Sequence, residues 1–238
     1  MNEQVSLCQP GNGKGCCVCC GLFNLRNVSS NVLSQFLTEA SIEVSYGKII
    51  NNLFIRNYDS IKNIYDFRDS TTYVCPFMGF VFSDTPGCLL HPSVNNGIDS
   101  RDCSLFGKEL CNDYFCPAYR ILSDKEKKIL IRCTYDWYSY SIGIMDPLSL
   151  RWIIQQVEGI LNIQIIPGIE QENAIVRCIN EALLMVGMLL NTLDCPLFYY
   201  SEPEYYLHMR MVSLNSESIL NKNVRGEIKR LIINNTHY

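Results

Sequence analysis

Four thiols stand within five residues in the segment Gly15-Cys16-Cys17-Val18-Cys19-Cys20-Gly21. No hydrophobic core calls for such a knot, and thiols crowded in this way are placed for sulfur chemistry, as ligands of a metal ion or a cluster. Two thiolates two or three residues apart share one metal because the chain between them closes a small chelate loop, and Cys16-x-x-Cys19 has that spacing. Adjacent cysteines are harder to set on one ion, since neighbouring side chains diverge; Cys20 therefore serves a second metal or stands by. Any fold this chain adopts has to carry further sulfur ligands to the knot.

The chain holds 13 cysteines, an odd number. Ten of them (Cys8, Cys16, Cys17, Cys19, Cys20, Cys75, Cys88, Cys103, Cys111 and Cys116) precede residue 120, and only Cys133, Cys178 and Cys195 follow it. This asymmetry sets a boundary near Tyr119, between a cysteine-rich, metal- or cluster-binding region, 1–119, and a helical region, 120–238, packed against it. The opening residues, Met1 to Leu7, carry neither the basic nor the apolar stretch of a secretory signal, so a cytoplasmic protein is expected. Disulfides do not persist in a reducing compartment, and abundant thiols there point to metal binding or thiol chemistry. Cys133, Cys178 and Cys195, lone residues on helical faces or just before a proline, read as small buried hydrophobes.

With 238 residues, 47% of them hydrophobic and 18% charged, the chain can bury a sizeable core and reads as one body with two subregions. The net charge of -4 comes without a basic stripe, so no nucleic-acid partner is expected. The longest apolar run, Ala182 to Leu190, has nine residues. A membrane-crossing helix needs about 20, so this run reads as the face of a core helix and no membrane partner is expected.

Along the chain, Gln9-Pro10-Gly11-Asn12-Gly13-Lys14-Gly15 is a loop of turn formers, and it lacks the Gly-x-x-x-x-Gly-Lys-Ser/Thr pattern of a phosphate loop. From Ser29 or Ser30 to about Val44, the residues Val32, Leu33, Phe36, Leu37, Ala40 and Ile42 fall mostly at helical spacing. A second short helix or mixed segment follows between Gly47 and Phe67. Tyr73 to Phe82 is aromatic and β-branched, Ser83-Asp84-Thr85-Pro86-Gly87 is a turn sequence, and the two predict a β-hairpin with Cys75 and Cys88 near its open end or along its strands. Ser93 to Arg101 reads as loop, and Cys103, Cys111 and Cys116 arrive on short irregular or single-turn segments. Beyond them, Ser123-Asp124-Lys125-Glu126 is a capping box, with Ile129, Leu130, Cys133, Trp137 and Tyr140 continuing on one face. Asp146-Pro147 starts the next helix, a third runs from about Glu170 to Asn191, and an amphipathic fourth from about Ser216 to Ile233. The fold class expected is α+β: a small cysteine-rich half with a β-hairpin and short helices, packed on a mostly α-helical C-terminal half.

The pattern Cys16-x-x-Cys19-Cys20, then Cys75-x-Phe77-Met78, then Gly87-Cys88-Leu89-Leu90-His91-Pro92, then Arg101 and Cys103 resembles the bacterial YkgJ-type cysteine-cluster family, described as a zinc- or iron-chelating domain. That family runs Cys-x-x-Cys-Cys, a later Cys-x-Phe-Leu, a Cys-x-Ile-Tyr or similar step, and a final Arg-Pro-x-x-Cys-Arg. The cysteine layout is also similar to that of flagellin lysine methylases, which implies an iron–sulfur cluster. The likeness covers about residues 8 to 119, half of the chain, and the helical half resembles no family. His91-Pro92 stands where the family often has Tyr and later Arg-Pro, and Cys111-x4-Cys116-Pro117 extends beyond the family's usual end. The resemblance implies ligand roles for Cys16, Cys19, Cys20, Cys75, Cys88 and Cys103; Cys111 and Cys116 join the metal-ligand candidates on spacing alone.

Four sulfur ligands suit zinc and an iron–sulfur cluster equally. The absence of ferredoxin-style signatures leans toward zinc, and the methylase likeness toward iron. The reading is a cytoplasmic metal-binding protein, with an iron–sulfur enzyme or accessory factor in protein modification, or a thiol redox sensor using Lys14 as the nearby cation, as alternatives. The geometry predicts that Cys19, Cys20, Cys75 and Cys88 converge within metal-bonding reach, with Cys16 or Cys103 completing the set and Cys111 and Cys116 joining it or forming a second site. His91 is either a ligand or a hydrogen-bonding loop residue. Asp99-Ser100-Arg101-Asp102 is either a solvated loop or a source of hydrogen bonds from Arg101 to thiolate sulfur. Tyr199, Tyr200, Tyr205 and Tyr206 offer a surface for a protein partner or cover an edge of the helical core. Gly-x-Ser-x-Gly, His-Glu-x-x-His and Gly-x-Gly-x-x-Gly are all missing.

Overall fold

The computed structural model of the chain describes residues 7–49, 56–68, 73–104, 106–113, 116–166, 173–193 and 220–235. The tyrosine-rich segment, Cys195, His208, His237 and the first residues expected in the third and fourth C-terminal helices lie outside them. The fold is α+β and mostly helical, with one two-stranded antiparallel hairpin.

The first long helix, α1, spans Ser30–Ile49 and buries Leu33, Phe36, Leu37, Ala40 and Val44. That set keeps the helical period, and the helix runs past the expected end near Val44; Ile42 falls off the set and faces solvent. A five-residue helix, α2 (Tyr58–Lys62), opens on a capping box between Asn57 and Ser60. The hairpin pairs β1 (Met78–Phe82) with β2 (Thr85–Cys88), matching Met78 to Cys88 and Phe80 to Pro86. Its turn is therefore shorter than the turn sequence suggested. Only Ser83 and Asp84 lie between the strands, and Pro86 sits within β2, tolerated because a two-stranded sheet leaves one edge of each strand unpaired. The ladder is irregular between Phe80 and Phe82. Such a ribbon is marginal alone. Here β1 lies against α1, and the Ser41 hydroxyl of α1 accepts the Phe80 N–H at 2.7 Å, occupying an edge group of the strand.

Short elements follow: 3-10 turns at Pro92–Val94 and Arg101–Cys103, then α3 (Gly107–Asp113) and α4 (Pro117–Ile121). The helical half comprises α5 (Asp124–Cys133), α6 (Trp137–Met145), α7 (Pro147–Leu161), α8 (Asn173–Leu190) and α9 (Lys222–Asn235). The Ser123–Glu126 capping box forms, and Asp146 caps α7 ahead of Pro147. The single face expected from Ile129 to Tyr140 is instead two helices. The chain breaks after Cys133, and Asp136 caps α6 by accepting the Ser139 N–H at 2.8 Å. Buried Asn180 on α8 satisfies the break, taking the Tyr135 N–H at 2.8 Å and donating to the Cys133 carbonyl at 2.6 Å.

Helix α8 packs against α5, α6, α7 and α9 and buries nine residues, among them Ile179, Leu183 and Leu190. By length and composition alone it could cross a membrane, yet half of it is buried inside the protein. The two halves share one hydrophobic cluster, and long-range hydrogen bonds stitch them. The Tyr138 hydroxyl donates to Val28 O and that of Tyr140 to Leu7 O, both at 2.8 Å. Buried Arg68 donates to Phe23 O, Leu25 O, Leu190 O and Leu193 O, bridging the 3-10 turn Leu22–Asn24 to the end of α8.

Candidate metal centre

The knot is fixed by the chain on both sides of it. Before it, Asn12 and Gly13 both take positive φ (56° and 71°), the geometry of a tight two-residue reversal, and Lys14 N–H closes the turn on Gly11 O at 3.2 Å. The returning strand brings Cys16 N–H onto Cys8 O at 3.0 Å. The flanking glycines are demanded by contact. A Cβ on Gly15 would lie 2.1 Å from Pro86 O of β2. On Gly21, whose φ is +89°, it would lie 2.3 Å from Tyr73 O. The knot is thus laid between β2 and the chain entering β1, and Cys75 N–H donates to Cys20 O at 2.9 Å. Arg56, buried over the Phe36 ring, holds the next residue by donating from Nε to Pro76 O at 2.9 Å. Cys88 ends β2, Cys111 lies on α3, and Cys116 is the N-cap of α4.

These placements make the thiols electrostatic neighbours. Burial first, then Cys19, Cys116 and Cys8, push the Cys16 thiol well above its ordinary value. Burial, then Cys19, Cys88 and Cys75, do the same to Cys17. Cys8 keeps exposed surface but is packed closely enough that burial, then Cys19, raise it to about 12. Cys75 is raised by burial and then by Cys88; Cys88 reaches about 11 by burial, with Cys111 adding to it. Cys116 is raised to about 12 by burial, Cys19 and Cys8. Cys19 alone goes the other way, because the Cys20 thiol donates a hydrogen bond to it; the same bond, with burial, raises Cys20.

Several sulfurs also accept backbone N–H groups from two or three residues downstream: Cys16 from Val18 at 3.3 Å, Cys75 from Phe77, Cys88 from Leu90 and His91, Cys116 from Ala118 and Tyr119. A turn that aims amides at a sulfur stabilises its thiolate, as the chain around a metal-bound cysteine must. Tyr73 adds a side-chain hydrogen bond to Cys75.

Of the eight ligand candidates, Cys16, Cys19, Cys20, Cys75, Cys88, Cys111 and Cys116 lie about the knot and hairpin, and Cys103 ends its 3-10 turn exposed. Two thiols outside that set belong to the gathering, Cys8 and the buried Cys17. The Asn12-Gly13 dipeptide is the signal for Cys8, since such a turn folds the flanking residues back on each other. Nothing in the spacing singles out Cys17. His91 turns its Nδ1 to Ser93, 2.7 Å from the hydroxyl and 3.2 Å from the N–H, capping the Pro92–Val94 turn. Arg101 is buried, forms an ion pair with Asp99 at 2.6 Å, and places its charge near Cys88 and Cys111. Lys14 donates to Ile131 O at 2.6 Å, and its charge acts on Cys133. Cys133 and Cys178 are buried in the helical half.

All twelve cysteines among the described residues are free thiols. Among those residues, no group of three or more His, Cys, Asp or Glu side chains stands in an arrangement that would hold a metal ion. The expected convergence of Cys19, Cys20, Cys75 and Cys88 to metal-bonding reach is therefore not seen among the described residues. Comparison with protein-family models, with curated proteins and with solved structures finds no match.

Proposed function

We propose that the cysteine-rich half is a thiolate metal centre of a cytoplasmic protein, binding zinc or an iron–sulfur cluster, and that the metal's first role is to stabilise the fold. The observation that carries this reading is the gathering of thiols from the knot, the hairpin, α3 and α4, with backbone amides aimed at their sulfurs. Metal binds such sulfurs as thiolates. It displaces the thiol protons that burial holds in place and contributes its free energy to folding.

The surroundings favour metal over redox sensing. Sensor cysteines are exposed and low in pKa; burial pushes Cys8, Cys16, Cys17, Cys75, Cys88 and Cys116 up, Cys19 is the one lowered, by the Cys20 thiol, and Lys14, the nearby cation, is engaged on α5.

Elemental analysis and visible absorption of anaerobically purified protein test the proposal. Stoichiometric zinc in a colourless protein, or iron with sulfide in a brown one, is expected, together with a lower melting temperature after chelation. Protein free of both metals, which takes up neither and melts unchanged after chelation, overturns it.

A further inference from the structure

In the helical half, a cavity of about 540 Å³ opens between α7 and the start of α9. Pockets of ~300–1,000 Å³ take small organic molecules. The described lining carries three cations, Lys222, Arg225 and Lys229, and no carboxylate, a local excess of positive charge in a chain whose net charge is -4. The three fall at intervals of three and four along α9, which sets them on one face of that helix. Glu227, the acid nearest to them in sequence, lines a separate cavity with Glu181 and Arg230. Among the described residues no ion pair engages any of the three cations. Like charges held side by side without a counter-charge repel one another, and an anion relieves them.

Two further features mark the same place. Half-buried Arg225 sets its guanidinium carbon 5.4 Å from the centre of the Trp152 ring, and its Nε is buried and donates to nothing. A buried donor left unmet is costly, and an acceptor belongs beside it. Gly226 stands among the cations inside a helix of 14 residues, where glycine is a poor helix former. A Cβ there would meet nothing within 4 Å, so the glycine avoids no clash; it keeps the cavity open. Asn221 accepts the Asn223 and Val224 N–H groups at 3.1 and 3.0 Å and so fixes the first turn of α9, from which Lys222 and Arg225 project.

We propose that this cavity binds a small organic phosphate of about nucleotide size, its phosphate held by Lys222, Arg225 and Lys229 and its organic part set against Trp152 and Leu220. A phosphate monoester is close to dianionic at neutral pH and matches three cations better than a single carboxylate does. The guanidinium adds paired N–H donors suited to phosphate oxygens. Trp152 and Leu220 supply apolar surface that a bare inorganic anion would not use. The site is independent of the thiolate centre and of its metal.

Isothermal titration calorimetry of the full chain with adenosine monophosphate, inorganic phosphate and adenosine tests this. The monophosphate should bind saturably, inorganic phosphate should bind more weakly and compete with it, and adenosine should not bind. Arg225→Gln should weaken the monophosphate by about tenfold or more, as the loss of a charge-assisted hydrogen bond does. Gly226→Leu, which fills the cavity, should do the same, and Glu227→Gln should not weaken binding. Lys229→Ala, an exposed change, carries the comparison where Arg225→Gln does not fold. No saturable binding of either phosphate, adenosine binding as tightly as its monophosphate, or an affinity that Arg225→Gln and Lys229→Ala leave unchanged overturns the proposal. So does inorganic phosphate binding as tightly as the monophosphate, since the cavity then recognises the anion alone.

Discussion

In the helical half, each of α5, α6 and α7 starts on its own local chemistry: Ser123 with Glu126, Asp136 with Ser139, Asp146 with Ser149 and Pro147. Their apolar faces then close on α8. Among the described residues of the cysteine-rich half, only α1 is a long element. The rest is a two-stranded ribbon, 3-10 turns and helices of five to seven residues, positioned by groups far away in sequence: Gly15 against Pro86, Gly21 against Tyr73, Arg56 on Pro76, Arg68 on α8. One half would be expected to keep its shape from helix propensity and core burial. The other depends on a few tight, specific contacts and, on the proposal made here, on bound metal.

The sharpest way to break this contrast is at the contact that joins the halves. Arg68→Met removes the side-chain donor to four carbonyls, two of them from the turn after the knot and two from the end of α8, of which Leu190 O keeps the Leu193 N–H. It should cost about 3 kcal/mol or more in urea denaturation, since unmet buried hydrogen-bond partners cost ~1–3 kcal/mol each. Gly21→Ala places a Cβ against Tyr73 O at positive φ. A loss of about 2 kcal/mol is expected, with bound metal falling in parallel, because the knot and Cys75 can no longer lie side by side. Ser123→Ala removes the cap of α5 and should cost about 1 kcal/mol in the same assay while leaving metal content at the wild-type value. A parallel fall in metal there would erase the distinction between the halves.

The smallest effect is one of pH. Burial raises Glu126, but hydrogen bonds from Arg151 and from the Ser123 N–H and hydroxyl outweigh it and hold the carboxyl below its ordinary value. A carboxylate with a lowered folded-state pKa stabilises fully above its unfolded value, and that contribution is lost as pH falls through the folded one. Glu126→Gln should therefore flatten the decline of Tm between neutral and acidic pH, and an unchanged acid limb would count against the Arg151 pair.

The helical half was the more legible in sequence because capping residues and apolar period are local signals. The break between α5 and α6 is hidden in the apolar period that runs through Trp137, because it is set by the Asp136–Ser139 cap and by Asn180, a partner remote in sequence. In the other half, the hairpin and α1 were readable from β-branched runs and helical spacing. The grouping of thiols was not. Spacing shows which cysteines are close along the chain, whereas which segments meet depends on the turn at Asn12-Gly13 and on two glycines pressed against distant carbonyls. Exposed Cys103 and buried Cys17 look alike in sequence and differ only once the chain is folded.

Hydrogen–deuterium exchange, read segment by segment on metal-loaded and metal-stripped protein, tests the central claim most directly. Removing metal should expose the amides of residues 8–22, of 75–90 and of 116–119, while α7 and α8 keep their protection. Equal protection of the knot and hairpin in both preparations, or a loss spread evenly over both halves, would contradict a metal centre that specifically holds the cysteine-rich half.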